Sequence, residues 1–149
     1  MVDTFINNNR MGEYTGPQVE ILPGIWLGNE EDGIAFEGDW VAVHGECRHP
    51  KAYRIPIMEQ GADGWDTTQA SREALDAATS FIRALQKQQR PLIVTCRMGI
   101  ERSPLTLAYF LVRYKYVANF NDAYKLLQGM RPIVEQRLHW LPIKPSKVK

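Results

Sequence analysis

The feature that most constrains this fold is an apolar tetrapeptide followed closely by an apolar helix. Leu92–Thr95 is a continuous, mostly apolar run that begins directly after Pro91. A run without alternation is typical of a strand buried on both faces. Residues 105–112 are apolar nearly all round and predict a buried helix, with Pro104 at a first-turn position that proline tolerates. This pair favours an α/β fold with a functional loop at the carboxyl end of a central strand.

The remaining patterns extend this prediction to a layered α/β structure. Short β-rich runs at 19–27, 41–43 and 53–57 are separated by glycine and proline turns. An apolar stripe then predicts an amphipathic helix. Its members are Ala74, Ala77, Ala78, Phe81, Ile82 and Leu85. The fold class expected is α/β, with a central, mostly parallel sheet flanked by helices.

The final third of the chain predicts further helical structure. Asn119 or Asn121 can cap a helix that ends at Gly129, and Pro132 stops any continuation. A last amphipathic stretch covers residues 134–141. No internal repeat is visible along the chain.

The 149 residues suit one domain and are too few for two comfortable ones. Residues 1–18 are polar and rich in asparagine and glycine, so they predict a flexible N-terminal arm. Residues 19–149 are predicted to form that single domain.

Charge and cysteine usage narrow the partners and the setting. The formal net charge of +1 provides no basic field for nucleic acid, so any anion site must be local. The two cysteines favour a reduced, intracellular setting, with a single Cys47–Cys96 bridge as the alternative. Neither a signal peptide nor a membrane-spanning run is present, so we expect a cytoplasmic monomer that does not bind membranes.

The chemistry centres on a cysteine and an arginine separated by five residues. Cys96 ends the predicted buried strand, Gly99 lies inside the loop, and Arg102 opens the predicted helix. Such a turn curls successive backbone N–H groups around one point and makes an anion site that the helix N-terminus strengthens. The predicted phosphate-binding residues are Arg97, Met98, Gly99, Ile100, Glu101 and Arg102.

The same environment predicts roles for three side chains. Helix N-termini and neighbouring cations lower a thiol pKa from about 8.5 to about 3.5–7.5, which would make Cys96 a nucleophilic thiolate. Arg102 can place its planar fork on two phosphate oxygens. Ser103 is placed to donate a hydrogen bond to the sulfur when the sulfur leaves. The alternative is a buried structural thiol beside a surface arginine, but a cation at a helix N-terminus is unfavourable without an anion.

The segment from Cys96 to Ser103 resembles the signature of dual-specificity phosphatases, a branch of the cysteine-dependent protein tyrosine phosphatases. The signature is His-Cys-x-x-Gly-x-x-Arg followed by Ser or Thr, and Cys96, Gly99, Arg102 and Ser103 match it. The likeness extends over residues 19–141, where 21–28 and 53–57 look like family strands. Residues 121–127 and 131–138 look like its closing helices. The resemblance implies catalysis through a phosphocysteine, with no metal and no cofactor.

Thr95 departs from the family pattern, which almost always has histidine at this position. The family histidine buttresses the loop and helps to set the cysteine pKa. Threonine can hold the loop by a hydrogen bond, but a higher thiol pKa and slower turnover are expected.

The resemblance also implies a general acid on a loop about thirty residues before the cysteine. Asp66 and Asp63 both lie in that range, and Glu59 is a third candidate. Asp66 fits the family spacing better, although Asp66 with Gln69 could instead cap a helix. The three histidines, His44, His49 and His139, show no metal-binding spacing.

The function predicted is hydrolysis of phosphotyrosine, with phosphoserine and phosphothreonine as further substrates, in a phosphorylated protein or peptide. One alternative is a phosphoinositide or RNA 5'-phosphatase of the same fold. Such relatives tend to carry extra lysines in the loop, whereas here Arg97 is offset by Glu101. The other is a pseudophosphatase that binds phosphoresidues without turnover, which the missing histidine at Thr95 favours.

Overall fold

The computed structural model describes residues 16–59, 61, 64 and 68–142. Five strands form one sheet: β1 Val19–Leu22, β2 Ile25–Gly28, β3 Asp39–Ala42, β4 Tyr53–Arg54 and β5 Leu92–Thr95. The α-helices are α1 Glu30–Ala35, α2 Arg72–Lys87, α3 Arg102–Arg113 and α4 Phe120–Met130, followed by a short 3₁₀ turn at Leu138–Trp140.

The sheet is mostly parallel and β5 lies at its centre. The strand order is β1-β2-β5-β3-β4, and only the β1–β2 pair is antiparallel. Thr95 is in register with Gly28 on one neighbouring strand and with Ala42 on the other. The carboxyl ends of three parallel strands therefore meet at one edge, where Cys96 follows. The α/β fold class is confirmed.

The buried strand β5 contributes to two apolar layers. Leu92 and Val94 belong to the main core with α2, α3 and α4, whereas Ile93 packs with Trp40 in a smaller cluster on the opposite face. All four β5 residues are buried, as the unbroken apolar run predicts. Burying one such side chain stabilises the fold by about 1.5–3 kcal/mol, so burial anchors the strand from which the following loop begins.

Helix α3 continues directly from the loop and is the most buried helix. Its residues from Ser103 to Val112 are all buried, which confirms the central helix expected over 105–112. Two contacts fix it against α2. Tyr109 donates a hydrogen bond to Asp76 at 2.7 Å, and Arg113 donates to the carbonyl of Asp76 and the hydroxyl of Thr79.

Helix α1 is not foreseen by the sequence patterns, because its six residues carry no apolar stripe. It is held instead by a capping box in which Asn29 and Asp32 bond each other's backbone N–H groups. Gly33 lies against the Trp40 indole, and a Cβ there would stand 2.3 Å from a ring carbon. Close packing on β3 therefore fixes α1 beside the loop.

Helix α2 forms where the apolar stripe predicts it, but its buried face differs. Leu75 and Thr79 are buried, whereas Ala77 is exposed. Thr79 satisfies its hydroxyl by donating to the carbonyl of Leu75 at 2.7 Å, so its polarity is compatible with burial.

The last part of the chain is less helical than expected. Asn119 caps α4 as one of the two predictions states, and the helix ends at Met130, one residue beyond Gly129. Residues 131–137 contain no helix, so the predicted closing helix over 131–138 is wrong. Pro132 has no N–H to donate, and the side chain of Arg131 bonds the carbonyl of Gly99 in the loop between β5 and α3.

Within the described ranges, none of the helices is both long and apolar enough to cross a membrane.

Candidate active site

Cys96 lies at the carboxyl end of β5, beneath the loop that leads into α3. Its side chain is 2% exposed, and its Sγ is 3.3 Å from the hydroxyl of Ser103. The thiol, the loop and Arg102 line one cleft, together with Met98, Ile100, Glu101 and Glu135. The structure thus brings together most of the residues that the sequence predicts for the phosphate site.

Four successive carbonyl groups of the loop accept hydrogen bonds from groups outside it. The carbonyl of Arg97 accepts from the N–H of Glu30, and the carbonyl of Ile100 accepts from the N–H of Glu135. The carbonyls of Met98 and Gly99 both accept from the guanidinium of Arg131. The four distances are 3.0–3.1 Å. In a trans peptide the N–H points opposite to the carbonyl of the same unit. The N–H groups of residues 98–101 therefore point towards the inside of the loop, as an anion-binding nest requires.

Gly99 makes this curvature possible. Its φ is +71°, a left-handed conformation that favours glycine, and a Cβ would stand 2.5 Å from the carbonyl oxygen of Gly28. Any larger residue would have to move β2 or the loop. The glycine of the sequence motif is thus required by backbone geometry.

The surroundings of Cys96 favour the thiolate form of its side chain. Burial alone would raise its pKa, but the hydroxyl and backbone N–H of Ser103, the positive charge of Arg102 and the N–H of Gly99 outweigh burial. The net effect holds the pKa of Cys96 below its ordinary value. This differs from the higher pKa expected for a loop that lacks histidine at position 95.

Thr95 is held by a contact that the sequence does not reveal. The indole N–H of Trp40 donates a 2.7 Å hydrogen bond to the hydroxyl of Thr95, and both side chains are fully buried. Trp40 fills the space beneath the loop on the α1 face. Thr95 acts here as an acceptor, and it fixes the last residue of β5 before Cys96.

Arg102 is oriented by an acidic partner from the segment after β3. Glu46 accepts two hydrogen bonds from the Nη1 and Nη2 atoms of Arg102, at 2.9 and 2.8 Å. The side chain of Arg102 is only 13% exposed, whereas that of Glu46 is 48% exposed. The hydrogen bond from Arg102 lowers the pKa of Glu46 to about 2, so the pair stays charged at neutral pH.

A family model supports what the loop geometry indicates. The model for the dual specificity phosphatase catalytic domain matches residues 39–143. The chain belongs to the dual specificity phosphatase family.

Solved structures of dual specificity phosphatases share this fold at low sequence identity. The similar structures include DUSP15, with a TM-score of 0.67 and 18% identity over 83% of this chain and 81% of that one. Human DUSP28 gives 0.66 and 19% over 84% and 88%. A human tyrosine phosphatase-like serine/threonine/tyrosine-interacting protein gives 0.65 and 13% over 83% and 89%. Together with the family model, these show a phosphatase-type fold.

The mouth of the cleft in this dual specificity phosphatase domain carries an acidic and basic network. Arg137 donates to Glu101 at 2.6 Å and also pairs with Glu135. It lies 5.5 Å from the centre of the Trp140 ring. Glu101 is thus partly neutralised by Arg137, while Arg97 is exposed on the other side of the loop.

Arg131 is a site residue that sequence reasoning missed. Its side chain is 2% exposed, and it bonds the carbonyls of Met98 and Gly99 in the loop and of Gly16 and Pro17 near the N-terminus. The only signal in the sequence is an arginine between a helix and Pro132, which does not distinguish it from a surface cation. Gly16 and Pro17 fall within the arm predicted over residues 1–18, and here they accept hydrogen bonds from this buried side chain. The division of the chain at residue 18 stays a prediction.

The predicted general acids belong to the loop between β4 and α2. Asp63 and Asp66 lie outside the described residues, and Glu59 is exposed at the start of this loop. The two ends of the loop meet at Thr68, which is buried. Its hydroxyl accepts from the N–H of Gly61 at 2.6 Å and lies 3.4 Å from the carbonyl of Glu59.

Proposed function

We propose that this domain is a cysteine-dependent phosphatase that hydrolyses phosphotyrosine in proteins or peptides, with phosphoserine and phosphothreonine as further substrates. The observation that carries the proposal is the orientation of the loop backbone over Cys96. Four outward carbonyls leave the N–H groups of residues 98–101 aimed inward, above a thiol with a lowered pKa. Phosphate oxygens are the ligands that such a nest prefers.

In the first step, the Cys96 thiolate attacks phosphorus and an S–P bond forms as the bond to the leaving oxygen breaks. The loop N–H groups and Arg102 stabilise the equatorial oxygens as charge develops on them. A general acid gives its proton to the leaving oxygen, and Asp66 or Asp63 is proposed for this role.

In the second step, water attacks the phosphocysteine, the S–P bond breaks, and inorganic phosphate and the Cys96 thiolate are released. The aspartate left ionised by the first step takes the proton from the attacking water. Ser103, with its hydroxyl 3.3 Å from Sγ, stabilises the departing sulfur by a hydrogen bond. One pocket therefore serves both displacements.

The lining of the cleft supports an aryl phosphate on a peptide over a more highly charged substrate. Met98 and Ile100 provide apolar walls that suit an aromatic ring. Glu101 and Glu135 place carboxylates at the mouth, and Arg137 offsets them only in part. This favours a protein phosphatase over the phosphoinositide and RNA 5'-phosphatase alternatives.

The proposal is tested by assaying purified protein with para-nitrophenyl phosphate and with a matched set of phosphotyrosine, phosphoserine and phosphothreonine peptides. We expect turnover of the aryl phosphate and the phosphotyrosine peptide, and loss of both in Cys96→Ser. Cys47→Ser is the control, because it removes the other thiol and should keep its activity.

Two other outcomes would each support one of the alternative functions. Phosphopeptide binding without turnover would overturn the proposal in favour of a phosphoresidue-binding module, the class that Thr95 in place of histidine favoured. Turnover of phosphoinositides or RNA 5'-phosphates well above that of every peptide would contradict the substrate class.

A further inference from the structure

A group of potential metal ligands lies beside the phosphate loop, on the α1 face of the sheet. One carboxylate oxygen of Glu30, one ring nitrogen of His44 and the sulfur of Cys47 all lie within 4.8 Å of one another. Glu30 is the first residue of α1, whereas the other two belong to the segment after β3. The group has no role in the proposed phosphatase reaction.

His44, one of these three residues, has a ring nitrogen whose hydrogen-bonding capacity is unused. Its side chain is completely buried, its Nε2 is 3.1 Å from Oε1 of Glu30, and its Nδ1 has no hydrogen-bond partner among the residues that the structure describes. A buried polar atom without a partner costs about 1–3 kcal/mol, and native structures rarely retain one without a reason. An ion within reach of the imidazole is one such reason.

Cys47 is a buried side chain in this group whose thiol forms no disulfide bond. It is 1% exposed, unpaired with Cys96, and packed in the small cluster with Trp40 and Ala42. The backbone N–H of Cys47 donates to the backbone carbonyl of His44 at 3.4 Å. This turn keeps the two side chains close together. His44 and Cys47, two of the three proposed ligands, are therefore buried residues joined by a backbone hydrogen bond.

The donor set and its dimensions suit Zn²⁺. One imidazole nitrogen, one thiolate and one carboxylate are its usual ligands, at bond lengths of about 2.0–2.3 Å. A tetrahedral ion with these bonds separates its ligand atoms by about 3.5 Å. Small side-chain movements would bring the observed group to that separation.

The group also has a route to solvent. The side chain of Glu30 is 31% exposed, and it lines a surface cleft with Asn29, Glu31, Ile34, Arg97 and Met98. A metal ion can enter from this cleft, and a water molecule can occupy the fourth position. Three protein ligands and one open position are a common arrangement for zinc.

We propose that Glu30, His44 and Cys47 form a Zn²⁺-binding site separate from the phosphate loop. Bound zinc joins α1 to the segment after β3. That segment carries Glu46, the partner of Arg102, between two of the ligands. Because the ion binds the folded arrangement, it stabilises the native state.

The test uses Cys96→Ser protein, in which Cys47 is the only thiol left in the chain. Titration with Co²⁺ should give a thiolate-to-cobalt charge-transfer band that saturates at one equivalent, and Zn²⁺ should displace it. Adding Cys47→Ser should abolish the band. Glu30→Gln and His44→Gln should each weaken the metal affinity about tenfold or more.

Control variants distinguish a site formed by all three residues from metal binding by Cys47 alone. His139→Gln removes an exposed histidine elsewhere and should leave the affinity unchanged. Melting curves recorded without metal check that each variant folds. If His44→Gln fails to fold, Glu30→Gln still tests the site, because Glu30 is partly exposed. Absence of the band, or an affinity unchanged by Glu30→Gln, would overturn the proposal. Because the readout does not involve phosphatase activity, it stands apart from the proposed function.

Discussion

Glu46 holds the guanidinium of Arg102 by two hydrogen bonds, at 2.9 and 2.8 Å, across 56 residues of sequence. We infer that Glu46 positions the Arg102 guanidinium in the cleft that Arg102 lines together with Cys96.

We expect Glu46→Gln to lower kcat/KM about tenfold, because a bidentate charged pair becomes a weaker amide contact. Steady-state kinetics with an aryl phosphate and the inhibition constant of inorganic phosphate measure the effect. Tighter phosphate binding in the variant would instead show that Glu46 competes with the substrate. Glu37→Gln is a suitable control, since it changes the net charge equally outside the site.

Replacing Arg102 by lysine tests the bidentate clamp. The charge is retained, but a lysine cannot place a planar fork on two oxygens. We expect kcat/KM to fall about 100-fold or more, in line with the loss of a donor to transition-state charge. An unchanged kcat/KM would remove Arg102 from the mechanism.

The lowered pKa of Cys96 predicts its reactivity as a function of pH. The thiolate is the reactive form, so a lowered pKa moves the onset of alkylation by iodoacetamide to lower pH than for an ordinary thiol. Ser103→Ala removes a hydrogen bond that lowers the pKa, and should shift the profile back to higher pH. Mass spectrometry separates Cys96 from Cys47. A profile that does not move in Ser103→Ala would contradict this account.

The Trp40–Thr95 hydrogen bond predicts a cost in stability. Thr95→Val keeps the shape but leaves the buried indole N–H without its acceptor, which costs about 1–3 kcal/mol of unfolding free energy. Thr106→Val is the matched control: its hydroxyl is also buried, but it only adds a second donor to the helical carbonyl of Arg102. Urea unfolding of the two variants should show the larger loss for Thr95→Val. Equal losses would argue against a special role for this pair.

The general acid can be identified by two aspartate variants assayed in parallel. Loss of the true acid should reduce kcat most for alkyl phosphates, whose leaving oxygens need a proton, and least for para-nitrophenyl phosphate. We expect Asp66→Ala to show this leaving-group dependence and Asp63→Ala to lack it. The reverse pattern would assign the role to Asp63, and its absence from both would leave Glu59 as the candidate.

The sequence predicted the parts of the site whose signals are local. The apolar run of β5, the all-round apolar surface of α3 and the glycine in the loop each follow from short-range patterns, and the structure has all three. A four-residue strand without alternation has few other places in a sheet, which is why its central position could be inferred.

The parts that the sequence did not predict depend on contacts between distant segments. Glu46, Arg131 and Trp40 are ordinary residues in their local context, and only the fold brings them to the loop. Helix α1 was missed because a capping box and one close contact with Trp40 stabilise it, without any apolar periodicity. The closing helix was predicted wrongly because Pro132 has no N–H to donate and the N–H of Glu135 donates to the loop carbonyl of Ile100 instead of to a helical carbonyl.

Arg131 has a consequence for the order in which this protein matures on the ribosome. The phosphate loop is synthesised before Arg131 and Glu135, which supply the donors for three of its four outward carbonyls. A nascent chain that has exposed only β5 and α3 therefore has the nucleophile but lacks the groups that shape its anion site. We therefore expect competence to bind phosphate only after residues 131–135 have emerged and docked against the loop.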